Sequence, residues 1–120
     1  MARSMFERYG GFAKLNRIVM SFYEKMTTSP VTKKYFENTN MRRLIDHQTK
    51  FIASMMGGPA SYTNEHLERV HARLGITEFA FQETVDLLTE TLEDYDFDDS
   101  DVRQVEGEVM SRKNHIVTKG

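Results

Sequence analysis

The sequence predicts an all-α fold in one domain, residues 1–120, and three observations carry that prediction. Apolar residues recur at three- and four-residue steps in five stretches. No stretch alternates with a period of two, and the two prolines, Pro30 and Pro59, fall between the periodic stretches. The first stretch is Phe12, Leu15, Ile18, Val19, Phe22, Tyr23 and Met26, one face of an amphipathic helix that Ser29-Pro30 breaks. Tyr35-Phe36 forms a short aromatic segment, and Asn38-Thr39-Asn40 supplies a turn and a helix start. From Met41, the residues Leu44, Ile45, Gln48, Phe51, Ile52, Met55 and Met56 repeat the step until Gly57-Gly58-Pro59 ends it. Thr63 or Asn64 caps a short helix with Leu67, Val70 and Leu74 on one face and Gly75 at its end. Thr77 caps the next, with Phe81, Val85, Leu88 and Leu92 inward. The acidic run from Asp94 to Asp101 reads as a solvated loop, after which Ser100 or Asp99 caps a last helix carrying Val102, Val105, Val109 and Ile116.

Composition narrows the function classes. With 120 residues, 39% of them apolar, the chain builds a core without covalent staples. Sixteen basic against eighteen acidic residues argue against nucleic acid or an anionic membrane as partner. The absence of cysteine excludes disulfides, thiolate metal sites and a cysteine nucleophile. No apolar run approaches the roughly 20 residues of a membrane span, and no signal-like segment opens the sequence, so a soluble cytoplasmic protein is expected. No extended apolar face is left over, which makes a monomer the expectation. Eight methionines and thirteen aromatic residues suit the lining of a soft apolar cavity.

The four histidines carry what chemistry the spacing allows. His71 follows Leu67 by four positions and precedes Leu74 by three, so it occupies an inward position on its short helix. It is either a hydrogen-bonded core histidine or a metal ligand presented to a cavity, since a neutral imidazole nitrogen is a good iron ligand. His47 lies on the flank of the longer helix, His66 falls off the apolar face, and His115 sits near the end beside Ile116. Glu68 and His71 form one Glu-x-x-His pair, where a di-iron bundle needs two. There is no zinc-protease helix, phosphate loop or nucleophile elbow.

Taken in order, several segments resemble the group I truncated haemoglobins. They are Phe6-Glu7-Arg8-Tyr9-Gly10-Gly11, Phe22-Tyr23-Glu24-Lys25, Tyr35-Phe36 and Asp46-His47-Gln48 with Phe51. Gly57-Gly58-Pro59 with Tyr62, then Val70-His71-Ala72-Arg73-Leu74-Gly75-Ile76-Thr77 and Phe81, complete the series, so the resemblance runs from about Phe6 to about Ile116. It implies a shortened globin, four main helices packed two-over-two around haem b. His71 matches the proximal iron ligand, Phe36 the aromatic residue on the porphyrin, and Tyr23 and Gln48 the distal hydrogen-bond donors. The diglycine turns match Gly10-Gly11 and Gly57-Gly58. Tyr35, Leu44, Phe51, Tyr62, Leu67, Val70, Leu74, Ile76, Phe81 and Val85 fall among the pocket-lining positions.

Three positions set expectations of their own. His47 matches a histidine that, in cyanobacterial-type members, binds iron from the distal side; the alternative is a side chain turned to solvent or to a haem propionate. Leu44 stands where those relatives carry glutamine, which leaves distal hydrogen bonding to Tyr23 and Gln48. His115 falls near a last-helix histidine that in some relatives bonds covalently to a haem vinyl group; the alternative is a surface histidine. The resemblance implies reversible binding of O2, NO and CO, with nitric oxide dioxygenase activity served by an electron-donating reductase as a further reading. A cofactor-free helical interaction module is the alternative, but it gives no reason to bury a tyrosine and a histidine on inward stripes.

Overall fold

The computed structural model describes residues 3–59 and 74–117. The chain opens with a helix of only four residues, α1 (Met5–Arg8), that the apolar pattern does not announce. A capping box holds it: Ser4 Oγ accepts from the Glu7 amide at 3.1 Å, and the Glu7 carboxylate accepts from the Ser4 amide at 3.3 Å. Gly10 then turns the chain through the left-handed region (φ 98°), where a Cβ would come within 2.8 Å of Lys14 Cβ.

Helix α2 (Gly11–Thr28) buries Leu15, Ile18, Val19, Phe22, Tyr23 and Met26, the face expected from spacing. It stops at Ser29, before Pro30, and the buried Thr32 hydroxyl donates to the Met26 carbonyl at 2.6 Å. A 3-10 turn, Lys33–Phe36, leads to α3 (Met41–Met55), whose N-cap Asn40 accepts from the Arg43 amide at 3.2 Å. Arg42 and Arg43 sit in the first turn of α3 with no acidic residue beside them, against the helix macrodipole by roughly 0.3–1 kcal/mol per charge. At the far end the Gly58 amide donates to Ala53 O (2.8 Å) and the Phe6 amide to Met56 O (2.9 Å), which ties α1 to α3. A Cβ on Gly58 would lie 2.9 Å from that Ala53 oxygen.

Thr77 caps α4 (Glu78–Asp94), accepting from the Ala80 amide at 3.0 Å, as its position in the sequence suggests. The acidic run departs from expectation. Asp94 still belongs to α4, and α5 (Asp99–Met110) starts inside the run with Asp98 at the N-cap. Asp101 is therefore helical and buried rather than a solvated loop residue. Two Arg8 guanidinium nitrogens donate to its carboxylate, each at 2.9 Å, and the Tyr9 hydroxyl donates at 2.6 Å. The Tyr9 ring in turn stacks on Phe97 at 3.7 Å. The last helix is also shorter than its apolar residues suggest. It ends at Met110, where Arg112 folds back onto the Glu108 carbonyl, and Ile116 lies on a separate turn, α6 (Lys113–Ile116).

In space α2 packs against α3 and α4, and α4 against α5, so two helix pairs stack through α2 and α4. Leu15, Ile18, Val19, Val85, Leu92, Val102 and Val105 are fully enclosed between them. Among the described residues no helix is long and apolar enough to cross a membrane.

Candidate functional site

The apolar stripes of α2, α3 and α4 do not close completely on one another. They leave a cavity of about 320 Å³, within the range of small-ligand sites. Helix α2 contributes Phe22, Tyr23 and Met26; the 3-10 turn and its exit contribute Tyr35, Phe36 and Thr39. Helix α3 contributes Leu44, Gln48, Phe51, Ile52 and Met55, and α4 contributes Ala80, Phe81, Thr84 and Leu88. Leu74, Ile76, Val109 and Ile116 also line it. A groove of about 790 Å³ lies on the opposite side of α2 and α3, but it is open and lined by Arg42, Arg43, Asn16, Asn40 and Asp46 together with Met20 and Ile45. The enclosed, mostly apolar cavity is the one suited to hold a cofactor.

Tyr23 decides the character of this cavity. Its ring is fixed edge-on by Phe22 (4.9 Å) and Phe36 (5.6 Å). Only 7% of the residue is exposed, and its hydroxyl makes no hydrogen bond to a described residue. No fully enclosed side-chain nitrogen or oxygen among the described residues lacks a partner, so this hydroxyl opens onto the cavity. Burial alone pushes its pKa well above the ordinary phenol value, which keeps it a protonated donor. Gln48 lines the same cavity from α3 with an amide that can also donate. Two cations stand over lining rings: Lys34 Nζ lies 5.3 Å from the Tyr35 ring centre and the Arg112 guanidinium 5.9 Å from that of Phe51. The interior is thus mostly apolar, with Tyr23 and Gln48 among its donors, and cations sit beside its lining aromatics.

Of the site residues expected from sequence, Tyr23, Tyr35, Phe36, Leu44, Gln48, Phe51, Leu74, Ile76 and Phe81 line this one cavity. Val85 is enclosed in the core and does not line it. His47 is exposed on α3, one position before Gln48, and His115 is half-buried on α6 beside Ile116; neither lines the cavity. His71, Tyr62, Leu67, Val70 and His66 lie outside the described residues. Among the described residues no group of three or more His, Asp or Glu could hold a metal ion. The lining residues that sequence reasoning did not single out are Phe22, Met26, Thr39, Ile52, Met55, Ala80, Thr84, Leu88, Val109 and Ile116. Their signal was present in part, since Ile52, Met55 and Leu88 continue apolar stripes already recognised.

Comparison with known proteins gives this architecture a family. Residues 4–118 match the family model of the bacterial-like globins. A group 1 truncated hemoglobin of Tetrahymena thermophila is 29% identical over 112 residues, 93% of this chain and 89% of the relative. The group 1 truncated hemoglobin GlbN of Mycolicibacterium paratuberculosis is 36% identical over 74 residues, 62% of this chain and 54% of the relative. In fold, the chain is similar to the truncated hemoglobin of Tetrahymena pyriformis in its Fe(III) form, with TM-score 0.85 at 23% identity, covering 98% of this chain and 100% of that one. It is also similar to the 2/2 hemoglobin of Synechococcus sp. in the cyanomet state with covalently attached heme, with TM-score 0.88, 23% identity and the same coverage. The chain belongs to the bacterial-like globin family, a two-over-two truncated haemoglobin fold whose membership implies haem-based binding of diatomic gases.

Proposed function

We propose that the cavity holds haem b with His71 as the proximal iron ligand, and that Tyr23 and Gln48 hold a diatomic gas by donating hydrogen bonds to it. The observation that carries this reading is the Tyr23 hydroxyl: on a buried residue, protonated and without a partner among the described residues, facing a mostly apolar space. A cofactor-free bundle would leave that donor unsatisfied, at a cost that natural cores avoid. The lining fits the group, for a flat apolar macrocycle suits Phe22, Phe36, Phe51, Phe81 and the methionines. Lys34 and Arg112, over lining rings, suit the carboxylates at its edge.

When bound, haem supplies the iron that takes the gas and the redox chemistry by which oxygen, nitric oxide and one electron give nitrate, the dioxygenase reading of this site. The chain's own part is binding and polarity. Tyr23 O–H and the Gln48 amide present positive charge where a bound gas gathers negative charge, each such bond to a charged acceptor being worth about 1.5–3 kcal/mol. Leu44 brings no donor, and with Ile52 and Phe51 it keeps water from competing. An electron-donating reductase returns the iron to its ferrous state between turnovers.

Absorption spectra of the haem-reconstituted protein test the reading: ferric, then dithionite-reduced, then with carbon monoxide. A Soret band that shifts on carbon monoxide is expected, and its absence would leave the interaction module standing. Sharp, split visible bands on reduction would mean that His47, exposed here, turns inward to ligate iron, and His47→Leu should then remove them. For His115 the test is acid–ketone extraction. Haem that stays with the wild-type chain and leaves His115→Ala is bonded through that residue.

A further inference from the structure

Helices α2, α3 and α4 each present one polar side chain to the cavity: Tyr23, Gln48 and Thr84. Tyr23 and Gln48 can donate. Thr84 stands in the middle of the α4 stripe Ala80, Thr84 and Leu88, where an apolar residue would continue the pattern. Its proton is committed, because Thr84 Oγ1 donates to the Ala80 carbonyl one turn back at 2.8 Å, and the oxygen therefore offers the cavity only lone pairs. Thr49 shows what such an oxygen does beside a donor. It donates to the Ile45 carbonyl at 2.7 Å in the same way and accepts from the Asn16 amide of α2 at 3.3 Å. Thr91 is also bonded back one turn, to the Leu87 carbonyl, but protein encloses it completely. Thr84 is half-buried, opens onto the cavity and accepts from no described residue. Of these three threonines, only Thr84 joins a free acceptor to open space.

We propose that Thr84 is a specificity-determining residue, whose lone pairs make the gas site favour small ligands that bring a proton of their own, such as hydrogen sulfide or hydrogen peroxide. The inference rests on the haem reading and adds a ligand class to it. Oxygen, nitric oxide and carbon monoxide carry acceptor ends and no proton, so Tyr23 and Gln48 attract them and the Thr84 oxygen does not. A proton-bearing ligand meets both kinds of partner: its lone pair takes a proton from Tyr23 or Gln48, and its own hydrogen points to Thr84. The three groups can act together because α2 packs on both α3 and α4 around a single space of about 320 Å³. Water qualifies in the same way, and two or more polar partners are what a water needs to settle in an otherwise apolar cavity. A proton-bearing ligand replaces that water without losing the bond to Thr84, whereas a diatomic gas gives the bond up.

The test compares wild type, Thr84→Val and Thr84→Ser. Each is loaded with ferric haem and titrated by absorbance with sodium hydrosulfide, which carries a proton, and with sodium azide, which carries none. Valine keeps the shape of threonine without its hydroxyl, and the Ala80 carbonyl keeps its helical bond from the residue 84 amide. The urea midpoint of the apo Thr84→Val protein should therefore stay within about 0.3 M of wild type. Hydrosulfide affinity should fall at least about threefold in Thr84→Val, the worth of one neutral hydrogen bond, while azide binds within about twofold or more tightly. Thr84→Ser keeps the hydroxyl and should hold hydrosulfide within about twofold of wild type. Equal weakening of both probes, hydrosulfide binding unmoved by Thr84→Val, or a Thr84→Ser protein that falls with it would overturn the proposal. So would an apo Thr84→Val midpoint lowered beyond that margin, which would assign the hydroxyl to the fold. The Soret band keeps the two readings apart. Without it the haem reading fails and takes this inference with it; with it, a Thr84→Val protein that treats both probes as wild type does sinks the role of Thr84 alone.

Discussion

Two tyrosines, one near each end of the core, show how this chain separates structure from function. Tyr9 donates to the Asp101 carboxylate (2.6 Å), accepts from the Asp98 amide (3.1 Å) and lies flat on Phe97, so every polar and apolar part of it has a protein partner. Tyr23 is more deeply buried, its ring is held by two phenylalanines, and its hydroxyl faces a cavity. Burial raises the pKa of both; at Tyr9 the hydrogen bond to Asp101 adds to it, whereas at Tyr23 burial acts alone. A buried donor that the fold satisfies is a clamp. One that the fold leaves open is a place for something else to bind.

Removing each hydroxyl should therefore have opposite consequences. Tyr23→Phe is expected to speed oxygen release by about 10- to 150-fold, the equivalent of one charge-assisted hydrogen bond of about 1.5–3 kcal/mol, while leaving the stability of the apo protein within about 0.5 kcal/mol. Tyr9→Phe should leave the off-rate alone and destabilise the fold by about 1–3 kcal/mol, because Asp101 and the Asp98 amide each lose a partner. Stopped-flow oxygen displacement and urea unfolding on both variants check the pair. An off-rate unmoved by Tyr23→Phe would take that residue out of the gas site.

The clamp also has a pH signature. The Arg8 guanidinium, and after it the Tyr9 hydroxyl, hold the Asp101 carboxyl below the usual carboxylate range. A carboxyl whose folded pKa is depressed contributes stability in full above its unfolded value, near 3.9, and loses it as pH falls through the lower folded value. Melting temperature should drop on acidification below about pH 4, with Asp101→Asn less stable at neutral pH by about 1–3 kcal/mol and flatter in its acid response. An Asn variant with the wild-type acid slope would move the effect to other carboxylates. At Tyr23 no such titration falls in this range, since burial keeps its phenol protonated.

The two regions were not equally legible in the sequence. The cavity lies on helices whose apolar residues step by three and four, and its donors, Tyr23 and Gln48, fall on or beside those stripes, so periodicity and family resemblance both led to it. The caps Asn40 and Thr77 were readable for a local reason, each acting within three residues of itself. The clamp joins Arg8 to a partner 93 positions away, and no local pattern distinguishes Asp101 from the acidic residues around it. Its helix start was hidden for the same reason, because Asp98, Asp99 and Ser100 are all plausible caps. The exposure of His47 was legible from periodicity, which put it on the flank of the helix and Gln48 on the stripe, about 100° away; the inward alternative came from the family resemblance.

Between the two regions stands Gly58, whose absent side chain lets Phe6 pack against the end of α3. Gly58→Ala would place a Cβ 2.9 Å from a backbone oxygen that cannot swing away, and a loss of about 1–3 kcal/mol is expected. If the gas off-rate changes with it, the end of α3 is mechanically coupled to the cavity that Met55 lines.

The smallest effect sharpens the contrast most. Asn40 accepts from the Arg43 amide and fixes the first turn of α3, one turn before Leu44 and two before Gln48. Asn40→Ala should cost about 1 kcal/mol, within the 0.5–2 range of such caps. That raises fraying of the first turn about fivefold, readable as faster amide exchange at Met41 to Leu44. Gln48 lies deep enough in the helix to keep its place, so oxygen release should move by less than about twofold. A larger change would mean that the donor on α3 is positioned by the cap, and that the gas site, unlike the Tyr9 clamp, depends on a contact made entirely outside it.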